Sequence, residues 1–294
     1  MSESLIAVTG ATGQLGRLVV EALLGRGVPA GRIVAAVRDP EKAAGLGARG
    51  VQVRRGDYAQ PETLVAALEG VGRLLLISGN EVGRRVSQHG NVVRAAKQAG
   101  VELLAYTSIL RADASGLLLA GEHKETETLI RDSGLTYTLL RNGWYFENYG
   151  GTVKQALARG VILGSAGDGR VSAAARADYA DAAAAVLTGG VDANRVYELA
   201  GDGGLTYSEL AAEVARQSGR EVVYEDLPAD AYAQALVGFG LPEPLALALA
   251  DADLGIKRGE LFEEGGDLRA LINRPTTTLA EAVAQVLKQA AERV

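Results

Sequence analysis

The 294-residue chain contains no cysteine and only two histidines, His89 and His123. The absence of thiols excludes disulfide bonds, thiolate metal centres and cysteine nucleophiles. With so few imidazole ligands, the composition also argues against a zinc or non-haem iron centre. We therefore expect a protein that works without a bound metal.

An excess of basic residues is also missing, since the formal net charge is −6. A general nucleic-acid-binding protein normally carries a basic surface. No apolar run reaches membrane-spanning length, and the opening Met-Ser-Glu-Ser lacks the basic start of a secretory signal. We expect a soluble cytoplasmic protein that binds no nucleic acid and has no membrane span; its oligomeric state, a homo-oligomer included, is left open.

Three glycines near the start of the chain carry the strongest signal that is present. Gly10, Gly13 and Gly16 lie between the apolar run Leu5–Val8 and an amphipathic segment, Gln14–Leu24. The first glycine permits a tight turn, the second a close approach to a pyrophosphate, and the third close packing of helix on strand. Unpaired N–H groups at the helix start would then face the phosphates. This strand–turn–helix context predicts a dinucleotide-binding loop.

Short apolar runs alternate with helical segments through the first 141 residues. The predicted strands are Leu5–Val8, Ile33–Val37, Val51–Arg54, Leu74–Ile77, Leu103–Thr107 and Thr136–Leu140. The predicted helices are Gln14–Leu24, Pro40–Ala48, Pro61–Leu68, Arg84–Ala99 and Glu122–Asp132. Such alternation indicates βαβ units and a parallel sheet. We expect an α/β fold with a Rossmann-type, doubly wound parallel sheet.

The pattern changes after Arg141, where aromatic residues cluster. The predicted strands there are Val161–Leu163 and Val196–Leu199, and the predicted helices are Tyr179–Leu187, Tyr207–Gln217, Pro242–Ala252 and Leu279–Arg293. We expect residues 1–141 to form the dinucleotide-binding domain, with 172–190 returning to it. Residues 142–294 are expected to form mainly a smaller C-terminal α/β lobe beside the substrate cleft.

Arg38 follows the second predicted strand, where a dinucleotide-binding fold meets the adenosine ribose. A guanidinium there suits the 2′-phosphate of NADP, whereas an acid would suit the free hydroxyl of NAD. Asp39 is adjacent but precedes Pro40, and we interpret it as a cap of the next helix. The pattern favours NADP over NAD, with a solvated surface arginine as the alternative for Arg38.

Two further segments follow predicted strands at the edge where open sheets bind ligands. Asp57 could accept a hydrogen bond from the adenine amino group, or it could cap the helix that begins near Pro61. Ser78-Gly79-Asn80 ends the fourth strand, and Gly79 would permit close approach of backbone to the cofactor.

The Tyr-x-x-x-Lys pair of classical short-chain dehydrogenases is missing. None of the ten tyrosines is followed by lysine four residues later. In that pair the lysine lowers the tyrosine pKa so that the phenol can relay a proton. A ketone or alcohol dehydrogenase of that type is therefore excluded.

The segment from Asn142 to Glu147 contains the only tryptophan of the protein and three consecutive aromatic residues. Because it follows the sixth predicted strand, we interpret it as one wall of a ligand cleft, with a plain hydrophobic cluster as the alternative. Thr107 and Ser108 follow the fifth strand. His123 has a structural or an active-site role, and with Glu127 it could also form a simple surface pair.

Several segments together resemble the NmrA-like atypical short-chain dehydrogenases, and within them the bacterial NADPH:quinone oxidoreductases. They are Ile-Ala-Val-Thr-Gly-Ala-Thr-Gly-Gln-Leu-Gly, Ala-Tyr-Thr-Ser (105–108), Tyr-Thr-Leu-Leu-Arg-Asn-Gly-Trp-Tyr (137–145), Arg-Ala-Asp-Tyr-Ala (176–180) and Pro-Thr-Thr-Thr-Leu-Ala-Glu. The glycine motif is widely shared, whereas Arg-Asn-Gly-Trp-Tyr is far more restrictive. The family commonly has more serine where this chain has Gly79 and Asn80.

The resemblance implies a Rossmann domain that binds NADPH and a quinone placed beside the nicotinamide. The expected cofactor contacts are Gly10, Ala11, Thr12, Gly13, Gln14, Leu15, Arg38, Asp57, Ser78, Gly79, Asn80, Asn142, Gly143, Trp144, Tyr145, Phe146 and Glu147. Asn142, Trp144, Tyr145 and His123 are the candidates for acting on the substrate, mainly by positioning it.

We therefore expect direct hydride transfer from NADPH to a quinone, without flavin or metal. Two alternatives remain open at this point. One is an NADP-binding regulator without catalysis, and the other is a reductase of another flat acceptor, such as a triphenylmethane dye. The identity of the quinone and of any proton donor is not indicated by the residues.

Overall fold

The computed structural model describes residues 4–190 and 194–291. Within them the strands are β1 (Leu5–Thr9), β2 (Ile33–Val37), β3 (Gln52–Arg55), β4 (Val71–Leu76), β5 (Leu103–Ile109), β6 (Tyr137–Asn142), β7 (Val161–Gly164), β8 (Arg195–Leu199) and β9 (Val223–Asp226).

The α-helices of the same residues follow in chain order. They are α1 (Gln14–Gly25), α2 (Ala44–Gly47), α3 (Pro61–Ala67), α4 (Arg85–Ala99), α5 (Ala120–Asp132), α6 (Gly150–Arg159), α7 (Arg176–Thr188), α8 (Tyr207–Ser218), α9 (Ala229–Gly238), α10 (Glu243–Lys257), α11 (Asp267–Ile272) and α12 (Leu279–Ala291). Short 3-10 helices span Ala30–Arg32, Pro40–Ala43 and Phe146–Tyr149.

Seven strands form one sheet in the order β3-β2-β1-β4-β5-β6-β8. The pairs β1/β2, β1/β4, β2/β3, β4/β5 and β5/β6 are all parallel. Their apolar residues are buried on both faces; all five residues of β2, for example, are buried. The predicted Rossmann-type parallel sheet is confirmed, and the strand order reverses between β1 and β4, where such sheets bind ligands.

The chain divides into two compact units. The first combines Met1–Ala112, Gly121–Asn142 and Ala177–Tyr197, and the second combines Asp113–Ala120, Gly143–Arg176 and Glu198–Val294. The core of the first unit lies between the sheet and its helices, around Leu74, Leu104 and Tyr106. The second unit has its own core, which includes Phe146, Tyr149 and other apolar residues, and a parallel pair of strands, β7 and β9.

Four α-helices and strands of the second unit are not among the predicted elements: α6, β9, α9 and α11. Helix α6 begins with Gly150-Gly151, and glycine is a poor helix former. Strand β9 is Val-Tyr-Glu-Asp and largely exposed, so it lacks the apolar run that marks a buried strand. The predicted end of the last helix, at Arg293, lies outside the described residues.

The segment predicted as one helix, Pro40–Ala48, is a 3-10 turn followed by the short helix α2. Asp39 caps the turn as expected, because its carboxylate accepts the Glu41 N–H at 3.2 Å. Among the described residues, no helix combines the length and the apolar character needed to cross a membrane.

Gly16 provides a test of the close helix–strand contact. A Cβ at this position would overlap the Gly10 carbonyl oxygen and approach the Ala11 Cα to 2.8 Å. Since backbone cannot yield as a side-chain tip can, we expect Gly16→Ala to lower the free energy of unfolding by about 1–3 kcal/mol. Urea denaturation followed by circular dichroism measures this change.

Gly25→Ala is the matched control in the same helix. A Cβ on Gly25 meets nothing within 4 Å, so this change should stabilise the protein by roughly 0.5–1 kcal/mol. Equal effects of the two substitutions would contradict the proposed packing constraint.

Candidate active site

A groove of about 390 Å³ lies in the first unit at the carboxyl ends of β1 to β4. Most predicted cofactor residues line it: Gly10, Thr12, Gly13, Gln14, Leu15, Arg38, Asp57, Ser78, Gly79 and Asn80. Ala11, which is fully buried, and residues 142–147 are not part of this lining. The motifs that follow β1 to β4 are thus brought together in one concave site within this unit.

The glycine loop forms the floor of the groove. Gly10 has a φ of +58°, which a residue with a side chain rarely adopts, and its carbonyl accepts the Gly13 N–H at 2.8 Å. Helix α1 then begins at Gln14 with no side-chain cap. The N–H groups of its first turn and the positive end of the helix dipole suit an anion at this position.

Positive side chains lie at the end of the groove that follows β2. The Arg38 side chain is 74% exposed, and its Nη1 lies 3.5 Å from a Glu81 carboxylate oxygen. Lys42 also lines the groove and pairs with Asp39 at 3.6 Å. Exposed pairs of this kind contribute little to stability, so an incoming anion can replace the acidic partners at small cost.

Asp57 lines the groove but does not cap helix α3. Its carboxylate accepts the Ala59 N–H at 3.0 Å in a local turn, whereas the helix begins after Gln60. The capping interpretation of Asp57 is therefore wrong. The carboxylate that lines the groove is instead held by the turn at the end of β3.

Further lining residues were not predicted as cofactor contacts, and those with long polar side chains are Lys42, Tyr58, Glu81 and Gln88. For Tyr58 and Glu81, the position shortly after a predicted strand is the signal that could have found them. Lys42 and Gln88 lie within helical segments, and only tertiary packing brings them to the groove.

Two buried side chains hold the Gly79 backbone at the groove wall. The Gly79 N–H donates to His89 Nε2 at 2.9 Å, and its carbonyl accepts from Arg85 Nε at 2.7 Å. Arg85 in turn pairs with Glu122 at 2.8 Å, with both side chains largely buried. Glu122 also accepts the Gly83 N–H at 2.8 Å. The loop after β4 is therefore fixed at both ends by helices α4 and α5.

The hydrogen bonds determine the tautomer of His89. The Thr126 hydroxyl donates to the Glu122 carbonyl at 2.8 Å, so its oxygen must accept from His89 Nδ1 at 3.1 Å. Nε2 is then the unprotonated nitrogen that accepts from Gly79. Burial, and secondly the charge of Arg85, lowers the pKa of His89 to about 3. His89 is thus a neutral structural imidazole, a role that no sequence motif indicates.

His123 is buried as well, and its Nδ1 lies 2.8 Å from the Tyr106 hydroxyl. Burial is the main cause that lowers the pKa of His123 to about 3. Glu127 is also buried, where it binds the Arg141 guanidinium at 2.7 Å and the Ser108 hydroxyl at 2.7 Å. The interpretation of His123 and Glu127 as a surface pair is therefore wrong, because each has a separate buried partner.

Thr107, Ser108 and Asn142 lie within strands rather than after them. Thr107 Oγ1 accepts the Ser78 N–H at 2.9 Å, which links β5 to the groove wall. Asn142 is the last residue of β6, its side chain is buried, and its carbonyl accepts the Leu110 N–H at 3.0 Å.

The residues after Asn142 belong to the second unit and have distinct surroundings there. The Gly143 N–H donates to the Leu199 carbonyl at 2.7 Å. Trp144 lines a cavity, whereas Phe146 is buried in the core. The Arg176 guanidinium lies 4.9 Å from the centre of the Tyr145 ring, and the Arg176 N–H donates to the Glu147 carboxylate at 3.0 Å. Of the three aromatic side chains, Phe146 therefore belongs to the core of the second unit, and Trp144 packs against that core as well as lining the cavity.

Comparison with known proteins extends over almost the whole chain. A model of the NmrA-like family matches residues 2–281. Quinone oxidoreductase 2 of Escherichia coli (strain K12) is 53% identical over 282 residues, which make up 96% of this chain and 98% of that protein.

Solved structures also match almost the whole length of the chain. The structure of the NADPH-dependent quinone oxidoreductase QOR2 of Escherichia coli complexed with NADPH has a TM-score of 0.94 at 53% identity, and covers 96% of this chain and 100% of that one. Triphenylmethane reductase of Citrobacter sp., complexed with NADP(H), has a TM-score of 0.92 at 42% identity, and covers 96% of this chain and 99% of that one.

Because His89 and His123 are buried in the neutral form, we expect the free energy of unfolding to fall in acid. Both have a folded-state pKa of about 3, below the value of roughly 6.5 in an unfolded chain, so the unfolded state takes up protons first. The stability that they contribute is full above pH 6.5 and is lost as the pH falls toward 3, by about 1.4 kcal/mol per pH unit for each histidine.

His89→Gln tests this effect, because the glutamine carbonyl can still accept the Gly79 N–H. Urea denaturation of this variant between pH 7 and pH 4 should show a shallower loss of stability than the natural chain. The double variant His89→Gln/His123→Gln, which has no imidazole left, should be shallower still. An identical pH dependence in all three proteins would show that neither histidine is held neutral.

Proposed function

The chain belongs to the NmrA-like family, and from that premise we propose that it is an NADPH-dependent quinone oxidoreductase. The observation that carries the proposal is the groove of the first unit. There the glycine loop and the positive side chains of Arg38 and Lys42 lie where the strand order of the sheet reverses. The relative of 53% identity bears the name quinone oxidoreductase, and its solved structure contains NADPH.

The residues of the groove fit NADPH. The uncapped start of α1, after Gly10 and Gly13, suits the pyrophosphate. Arg38 would bind the 2′-phosphate in place of Glu81, and Lys42 adds a second positive charge there. The negative charge of Asp39 is offset, because its carboxylate binds the Glu41 N–H and Lys42.

Bound NADPH would supply a hydride from its nicotinamide ring to the quinone. We assign the protein mainly a positioning role in this step. Asn142 is proposed to hydrogen-bond the quinone or the cofactor, and Trp144 and Tyr145 are proposed to position the acceptor ring. His123 is assigned a structural role, since it is buried against Tyr106 and held neutral.

A dedicated proton donor is not required by this chemistry. Ketone reduction produces an alkoxide, which needs strong acid assistance. Quinone reduction produces a phenolate-like anion with a pKa near that of tyrosine, about 10, so that water can protonate it. The lack of Tyr-x-x-x-Lys is therefore compatible with a quinone reductase. Because the relatives reported above are reductases, a sensing role without catalysis is not favoured.

NADPH oxidation by the pure protein tests the proposal, with 1,4-benzoquinone as acceptor and NADH as the competing donor. We expect turnover with a clear preference for NADPH. Tight NADPH binding without turnover of any acceptor would instead support a regulator, and faster turnover of a triphenylmethane dye than of quinones would make it a dye reductase.

Arg38→Met tests the origin of the cofactor preference. Loss of a charged hydrogen-bond donor should raise the KM for NADPH by about 10- to 100-fold and leave the kinetics with NADH within roughly twofold. Arg216→Met is the control, because Arg216 is an exposed arginine that pairs with Glu213 and does not line the groove. Equal loss with both cofactors would mean that Arg38 does not read the 2′-phosphate.

Trp144→Ala tests the positioning of the acceptor. Removal of the ring should raise the KM for benzoquinone by about tenfold, while the KM for NADPH stays nearly constant. Trp144→Phe keeps a flat aromatic surface and should retain most of the affinity. Unchanged quinone turnover and KM in the alanine variant would contradict this role.

A further inference from the structure

A second cavity, of about 110 Å³, lies wholly within the second unit. Four aromatic side chains line it: Trp144, Tyr149, Tyr207 and Tyr232. Three leucines and the carboxyl group of Asp253 also line it, together with Asn148, Thr152 and Gln155. Its volume is of the same order as the ~150 Å³ of an engineered apolar cavity that binds benzene. The cavity is therefore suited to a single small ring.

The polar groups of the cavity are not all satisfied by the protein. Asp253 is only 2% exposed, and its carboxyl accepts from the Tyr207 hydroxyl at 2.6 Å and from the Ser165 N–H at 2.8 Å. Tyr149 is 5% exposed, and its buried hydroxyl has no hydrogen bond of good geometry among the described residues. The nearby Tyr207 hydroxyl offsets part of the rise in the Tyr149 pKa that burial causes, but its own proton is donated to Asp253, so the Tyr149 oxygen can still accept from a ligand. An unpaired buried hydroxyl costs free energy that a ligand could recover.

The arrangement of the rings fits a flat ligand with a hydroxyl group. Tyr149 and Tyr207 meet edge to face, with ring centres 5.6 Å apart, and Trp144 lies 6.5 Å from Tyr149 in a tilted arrangement. Aromatic rings prefer such edge and offset contacts, so a further ring can join them. A phenolic hydroxyl can both donate to and accept from Tyr149.

A small quaternary ammonium ion would also suit an aromatic cavity with a carboxyl group. However, it has no hydrogen bond to offer Tyr149, whose hydroxyl would stay unpaired. Burial also raises the pKa of Asp253 to about 6, which shows that its surroundings disfavour the negative charge that a cation would need. The contacts therefore favour a neutral phenol over a cation.

We propose that this cavity is a binding site for monocyclic phenols, with the Tyr149 hydroxyl as the group that recognises the hydroxyl of the ligand. Quinone reduction produces hydroquinones, which are phenols. The identification of a hydroquinone as the natural ligand therefore rests on the proposed function. The binding itself requires neither NADPH nor turnover.

The fluorescence of Trp144 provides the test, because it is the only tryptophan of the chain and lines the cavity. The protein is titrated with p-cresol and with toluene, in the absence of NADPH, with excitation at the red edge of the indole band. A saturable change with p-cresol is expected, at about tenfold higher affinity than with toluene, because only p-cresol can pair with Tyr149.

Tyr149→Phe keeps the ring and removes the hydroxyl. It should abolish the preference for p-cresol and leave the affinity for toluene within about twofold. Tyr197→Phe removes a phenolic hydroxyl that does not line the cavity and should behave like the natural chain.

Three results would overturn the proposal: equal affinity for p-cresol and toluene in the natural chain, tighter binding of tetramethylammonium, or no saturable change. The comparison of ligands in the natural chain needs no variant, so it remains decisive if Tyr149→Phe does not fold. Failure here and failure of the proposed function are distinguishable, because the latter is judged by NADPH oxidation alone.

Discussion

The close approach of Gly16 to the backbone of Gly10 and Ala11 is the constraint on which the groove of the first unit depends. It lets α1 start directly against the end of β1, at the point where the strand order reverses. A larger residue at this point would push the helix away and remove its first N–H groups from the floor. The positive helix end and the concave shape of the site thus share one steric origin.

The opposite wall is held by buried polar groups rather than by close packing. Arg85, His89 and Glu122 together bind the loop that contains Gly79 and Gly83. Burial of charge is costly unless every partner is present, so a network of this kind tolerates few alternative arrangements. The wall is consequently a preformed backbone surface, which suits a cofactor that must be held in one place.

The polar residues near the groove that most resemble catalytic groups are engaged in this support. His89 and His123 are neutral and buried, and Glu127 binds Arg141 and Ser108. Neither histidine is suited to transfer a proton at neutral pH, because burial lowers the pKa of each to about 3. This agrees with a reaction in which the cofactor provides the chemistry and the acceptor yields a product that water can protonate.

The sequence by itself determined the alternation of strands and helices, the glycine loop, and the residues that follow β1 to β4, because these depend on local periodicity and on glycine conformation. It could not decide whether His123 and Glu127 are exposed or buried, since two residues four apart on a helix have the same spacing on a surface and in a core. Only the tertiary structure decided three features. They are the hydrogen bonds that hold Gly79, the positions of Lys42 and Gln88 at the groove, and the cavity around Asp253. Each joins residues that are distant in the chain, and their contacts follow from packing rather than from any local pattern.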